Sequence, residues 1–241
     1  MITTNELDEM ARGFDTSRDF DAVMAYYDML EIKGNLKGKK LLEVGTSAGT
    51  VTKHLLALSE RLDIVEGSKI GLKRTRNLLG SGGGKLSYFH SLWEDFEPKA
   101  KYSDIIFVRG LEHVENPVAL LKKMKGWMVN GGRMHIIVPN ANSLHRKILV
   151  SRGLLPDIYS LGKRDFQVGH KRIYDMNSLL DSVTKSGLRP LLCRGFFLKP
   201  ISTSEMGKIT MNKHHPLVVA SYEAGKIIPN LGTQIYLVAE N

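Results

Sequence analysis

Three histidines stand where they could take a proton from a reacting group. His113 comes shortly after the apolar run Ile105 to Val108, and His145 shortly after Ile136 to Val138. His170 lies in a basic stretch just before Tyr174. Imidazole titrates near neutrality, so each is a candidate general base. His54, His90, His135, His214 and His215 are less well placed along the chain. A second kind of chemistry is suggested by Glu43-Val44-Gly45-Thr46-Ser47-Ala48-Gly49, a turn between an apolar run and a helical pattern. Glycine there lets backbone approach a ligand with no Cβ in the way. The spacing is Gly-x-x-x-Gly rather than the Gly-x-Gly-x-x-Gly that cradles a pyrophosphate, which argues against a phosphate-gripping turn. Glu66, 17 residues beyond Gly49, ends the next apolar run, where a carboxylate can accept from both hydroxyls of a ribose. Together these features predict a nucleoside-binding site.

Such residues need strands to hold them. Strands are expected at 39–45, 61–66, 86–90, 103–108 and 134–138, with two more at 188–198 and 234–240. Helical spacing appears over 50–59 (Val51, Leu55, Leu58), over 69–79, and after Pro117 (Val118, Leu121, Met124), the last expected to end at Gly131-Gly132. A further helix runs to Ser186 before Gly187, and 203–231 reads as a helical insertion rather than a hairpin. Alternating strands and helices with short connections give right-handed βαβ units. The expected fold is α/β: a doubly wound, seven-stranded, mostly parallel sheet of Rossmann-like form. One domain over 1–241 is expected, with a helical cap over 1–37, a nucleoside-binding core over 38–140 and an acceptor-facing part over 141–241.

The order of motifs resembles the class I S-adenosylmethionine (SAM)-dependent methyltransferases, in their small-molecule branch. The resemblance rests on Glu43, Gly45 and Gly49, then on Asp104-Ile105-Ile106-Phe107-Val108-Arg109-Gly110-Leu111-Glu112-His113-Val114. It continues through Asn116-Pro117, Leu120-Leu121, Asn130-Gly131-Gly132 and Val138-Pro139-Asn140, and covers roughly residues 38–140. It implies SAM as cofactor and S-adenosylhomocysteine (SAH) as product. By that resemblance Glu43, Gly45, Thr46, Ser47 and Gly49 belong to the methionine end of the site. Glu66 would hold the ribose, and Gly67, Leu92 and Trp93 would surround the adenine. Arg109 and Leu111 would border the methyl group. Two positions depart from the family pattern: Ser47 replaces a common glycine, and Ser91-Leu92 replaces an acid that binds the adenine amino group.

Ligands in open α/β sheets sit beyond the carboxyl ends of strands, so the loop after residue 138 should face an acceptor. Asn140, Arg146, Arg172 and Tyr174 are the acceptor-binding candidates, and His113, His145 and His170 the catalytic ones. Of the formal charge of +9, residues 141–241 carry most, with 14 Lys+Arg against 7 Asp+Glu. That asymmetry favours a small acceptor bearing phosphate or carboxylate. O-methylation is the first expectation and N-methylation the second, with an RNA methyltransferase or a non-catalytic SAM-binding protein as alternatives. Nucleic acid is disfavoured by the lack of an Asn-Pro-Pro-aromatic motif and of an aromatic-studded basic surface. The missing glycine fingerprint speaks against a nicotinamide oxidoreductase. The histidines are far apart in sequence and no carboxylate cluster accompanies them, so no metal is expected. The single cysteine, Cys193, excludes an internal disulfide, and the polar N-terminus does not read as a secretory signal. A cytoplasmic location is expected, and a homodimer is left open.

Overall fold

The computed structural model describes residues 3–241. Seven strands form one sheet in the order β3-β2-β1-β4-β5-β7-β6. They are β1 (Lys40–Val44), β2 (Arg61–Glu66), β3 (Leu86–His90), β4 (Tyr102–Val108), β5 (Met128–Pro139), β6 (Arg189–Phe196) and β7 (Gln234–Glu240). The first five run parallel, and β7 is antiparallel to both β5 and β6. β1 lies between β2 and β4, so successive connections leave it in opposite directions and open a crevice at its carboxyl end.

The sheet is covered on both faces, which explains its continuous apolar runs. Neighbouring residues of one strand face opposite sides. Leu42, Ile105 and Ile136 pack with Leu121 and Met124 of α5 (Pro117–Lys125) and Leu179 of α8 (Met176–Lys185). Leu41, Ile106 and Ile137 face the other way. They join residues of α2 (Asp21–Lys33), α3 (Thr52–Leu58), α4 (Lys69–Leu79) and α10 (Pro216–Ile227). The expected N-terminal cap is α1 (Thr4–Gly13), a short 3-10 turn and α2. The expected insertion is α9 (Thr203–Ile209) and α10. Two helices escaped the sequence reading: α6 (Leu144–Ser151) and the short α7 (Lys163–Gln167), both in the basic stretch. Among the described residues no helix is long and apolar enough to cross a membrane.

One boundary is corrected. The helix begun at Pro117 ends at Gly126, not at Gly131-Gly132. Gly131, at φ +66°, lies within β5, where the register against β4 slips between Tyr102 and Asp104. The glycines thus serve an irregular stretch of strand rather than a helix end.

A polar network runs through the middle of the sheet. Fully buried His135 on β5 bonds through Nε2 to Asp104 on β4 and through Nδ1 to the Tyr236 hydroxyl on β7, both at 2.9 Å. Asp104 also accepts from the amides of Lys37 and Gly38, which fixes the chain entering β1. Burial opposes ionisation of Asp104, but these hydrogen bonds outweigh it and hold the carboxyl below its ordinary range. Its stabilisation is therefore complete above the unfolded-chain value and lost as pH falls through the folded one. Asp104→Ala strands three donors in the interior and should cost about 3–5 kcal/mol, read from urea unfolding at pH 7.

Candidate functional site

At the carboxyl ends of β1 and β4 lies a cavity of about 340 Å³. Its floor is the turn after β1. Gly45 (φ +77°) and Ser47 (φ +52°) take the left-handed conformation there, and a Cβ on Gly45 would come within 2.9 Å of the Trp93 ring. Glu66, at the end of β2, turns its carboxylate toward this loop. Oε2 accepts from the amides of Thr46 (2.9 Å) and Ser47 (3.1 Å), and Oε1 from that of Ser68 (2.8 Å). A carboxylate offers about four acceptor positions, so one on Oε1 is left for a ligand hydroxyl. Glu43 is buried beneath the turn, and its Oε2 has no partner. Burial, with Glu66 close by, pushes its carboxyl up to about 8, against a hydrogen bond with Thr52.

The cap closes the cavity from above. Asp8 of α1 accepts from the Ser68 hydroxyl at 2.6 Å and from the Ile70 amide at 3.1 Å. Leu7 rests on Gly67, where a Cβ would lie 2.5 Å from its methyl carbon. α1 buries no residue of its own, so these contacts locate it.

The cavity's arginines are already committed. Arg109 holds a left-handed φ of +50° after β4, and its guanidinium meets Asp28 of α2 at 2.6 Å. Gln234 joins the pair: with its amide oriented to satisfy both neighbours, it donates to Asp28 at 3.1 Å and accepts from Arg109 at 2.9 Å. Complete burial lifts the Asp28 carboxyl to about 6 in spite of the guanidinium. Arg164 bonds Asp19 (2.8 Å) and Asp21 (3.0 Å) and stacks over Phe14, so it ties α7 to the cap. Arg146 reaches Asp165 at 3.3 Å and also donates to the Ile158 and Ser160 carbonyls.

All three candidate histidines line this one cavity. His145 is pushed down to about 3 by burial, with Lys199 and Arg146 adding to the effect. His113 falls to about 4 through burial and the neighbouring His170, whose ring centroid is 4.8 Å away. His170 differs. Burial opposes its charge, but Asp165 (2.8 Å from Nδ1) and Glu112 (3.8 Å from Nε2) hold it above its ordinary value.

Most of the proposed cofactor residues come together: Glu43, Gly45, Thr46, Ser47, Glu66, Gly67, Leu92, Trp93 and Arg109 all line the cavity. Gly49 and Leu111 do not. Gly49 packs under Thr75, and Leu111 is fully buried in the sheet's apolar core. Among the acceptor candidates, Asn140 and Arg146 line the cavity. Asn140 uses its amide to hold the carbonyls of Asn230 and Gly232. Arg172 and Tyr174 lie outside it: Arg172 donates to the Glu115 carbonyl, and Tyr174 packs in the core. Strand order explains the difference, because Tyr174 bridges to Asn140 and so sits beside the loop rather than over the crevice.

Glu112, Asp165 and Lys199 are among the lining residues that the sequence reading did not single out as site residues. Lys199 is 1% exposed, and its ammonium donates only to the Ile201 carbonyl and the Thr203 hydroxyl, both at 3.2 Å. No ion pair involves it among the described residues, and burial lowers it to about 8. Two residues before it stands Phe197, a buried non-glycine residue at a left-handed φ of +59°. Only a lysine beside a strand end, in Phe196-Phe197-Leu198-Lys199-Pro200, could have hinted at it.

The Glu66 geometry gives a direct check. Glu66→Ala removes both the remaining acceptor position and the brace of the turn. SAH affinity measured by calorimetry should fall at least tenfold, about 1.4 kcal/mol.

Residues 21–192 match the family of the methyltransferase domain, well over half of the chain. A curated relative, the ubiquinone biosynthesis O-methyltransferase of Aromatoleum aromaticum, is 23% identical over 137 residues, and the match spans 54% of this chain and 58% of that protein. A chain of the Haloferax volcanii complex between the Trm112 methyltransferase activator and a methyltransferase superposes with TM-score 0.64 at 12% identity, covering 99% of this chain and 97% of that one. The N-methyltransferase NodS of Bradyrhizobium japonicum, solved with SAH, gives TM-score 0.57 at 11% identity over 92% and 87% of the two chains. The sheet order, the glycine turn at its crevice and the family match lead to one statement: the chain belongs to the methyltransferase-domain family and has the Rossmann-like fold of class I SAM-dependent methyltransferases.

Proposed function

We propose that this chain methylates a hydroxyl of a small acceptor, using SAM, and that Lys199 removes the hydroxyl proton. The observation that carries this reading is a buried lysine, without a carboxylate partner, in the same cavity as the glycine turn and Glu66.

The lining suits SAM in three respects. Gly45 and Gly67 leave backbone bare where a Cβ would collide with neighbours, Glu66 keeps one acceptor position for a ribose hydroxyl, and Glu43 has an unpartnered oxygen for the methionine ammonium. SAM supplies an electrophilic methyl group on a positive sulfonium. The protein's part is then to align the acceptor oxygen and make it anionic. Two of the expected histidine bases are weak, since His113 and His145 lie near 4 and 3. His170 is biased toward its charged form by Asp165 and Glu112, which leaves it less able to accept. Lys199, lowered to about 8, is neutral in a useful fraction of molecules just above neutral pH. After taking the proton, its ammonium would stay beside the new oxyanion and stabilise it. The anionic character expected of the acceptor is thereby assigned to the reacting oxygen. The arginines that might grip a separate phosphate or carboxylate are held by Asp28, Asp165, Asp19 and Asp21. N-methylation of an amine is the second reading, favoured by the same neutral lysine.

Two measurements test this. Conversion of SAM to SAH, followed by mass spectrometry over a panel of phenols, alcohols and amines, should rise with pH through about 8 in the wild type. Lys199→Met should lower kcat by 100-fold or more while SAH affinity stays within threefold. Unchanged turnover in that variant would remove the lysine from the reaction, and no turnover on any acceptor with intact SAH binding would favour a non-catalytic SAM-binding protein. Glu43 offers an independent check. An ammonium placed at its free oxygen should ionise it, so SAH binding at pH 7 should release up to one proton. Calorimetry in buffers of different ionisation enthalpy reads that number, and Glu43→Gln should abolish it.

A further inference from the structure

Glu112 is fully buried, faces the cavity, and neither of its carboxylate oxygens has a hydrogen-bond partner. A buried carboxylate in that state is costly unless something positive completes it. Two imidazoles lie beside it. The His113 Nδ1 faces the Gly169 carbonyl at 3.2 Å, and the His170 Nδ1 faces Asp165 at 2.8 Å. A carbonyl or carboxylate oxygen can only accept, so each Nδ1 carries its hydrogen and Nε2 is the nitrogen each ring can offer to a metal, His170 giving up its second proton on binding. One donor atom from each of Glu112, His113 and His170 lies within 4.8 Å of the others. Three potential ligand atoms therefore converge on one point of the cavity wall.

We propose that Glu112, His113 and His170 bind one divalent transition-metal ion of the zinc kind. Two imidazoles and one carboxylate suit zinc, cobalt or ferrous iron, whereas magnesium and calcium call for oxygen ligands. Each imidazole is held on its far side by a carbonyl or carboxylate, the arrangement that orients metal-binding histidines. The cavity supplies an entry path and leaves coordination positions open for water or the acceptor. Sequence spacing argued against a metal because His170 lies 57 positions beyond His113. The fold removes that distance by running the chain after α7 back along the turn that follows β4, where the Lys171 amide bonds the Glu112 carbonyl.

Binding of the ion is independent of the reading given for Lys199, and its test uses neither SAM nor acceptor. Metal-free protein is titrated with Zn²⁺ by calorimetry at pH 7, and with Co²⁺ while its visible absorption is recorded. One equivalent with micromolar or tighter affinity is expected, with cobalt bands of four- or five-coordinate geometry. Glu112→Gln and His170→Gln should each weaken binding at least tenfold, and Asp165→Asn, which acts through His170, tenfold to 100-fold. Mg²⁺ should not compete. Far-UV circular dichroism and SAH affinity confirm that each variant is folded. Absence of a one-equivalent site in the wild type overturns the proposal. So does a site that survives in both Glu112→Gln and His170→Gln, since the metal would then sit elsewhere, for instance on His214 and His215.

Discussion

A buried charge must be answered by another, and around the crevice this requirement decides where the chain can go. Arg109 leaves β4 in a left-handed conformation that carries its guanidinium to Asp28, and Gln234 at the start of β7 completes the group. Three elements distant in sequence, the cap helix α2, a central parallel strand and the antiparallel strand, thus meet at one ion pair. Arg146 repeats the device between α6 and Asp165, and the half-exposed Arg164 links α7 to the cap. Because a half-removed buried pair is costly, the cap and the basic segment are bound to the sheet as walls of the cavity.

That pairing changes the meaning of the net charge. An excess of Lys+Arg over residues 141–241 suggested hands for an acceptor's phosphate or carboxylate. In the folded chain the cavity's arginines face aspartates supplied in part by the cap, and the unmatched groups are of another sort: Lys199 among cations, and Glu43 and Glu112 among carboxylates. Composition counts charges, whereas the local field depends on which of them share a buried space.

The sheet was legible because its strands are buried on both faces and read as unbroken apolar runs set between helical patterns. The glycine turn and Glu66 were legible because their chemistry is local and sits at strand ends. The helix end assigned to Gly131-Gly132 was misplaced, since glycine also serves an irregular strand and Gly126 had already stopped the helix. Leu111 and Tyr174 had the right neighbours in sequence, but they point into the core, a choice set by which face each residue presents. Lys199, Asp165 and the convergence of Glu112 with His170 depend on contacts across the whole fold, and no local pattern announces them.

The seating of Leu7 on Gly67, with Asp8 bonded to Ser68 and Ile70, has a thermodynamic consequence. α1 adds Leu7, Met10 and Ala11 to the cavity lining yet buries no residue within itself. Its docked state is held by few contacts, so whatever fills the cavity against those side chains shifts the helix toward docking by the same free energy that docking contributes to retention of the ligand. Occupancy of the site and docking of α1 are in this way two readings of one equilibrium.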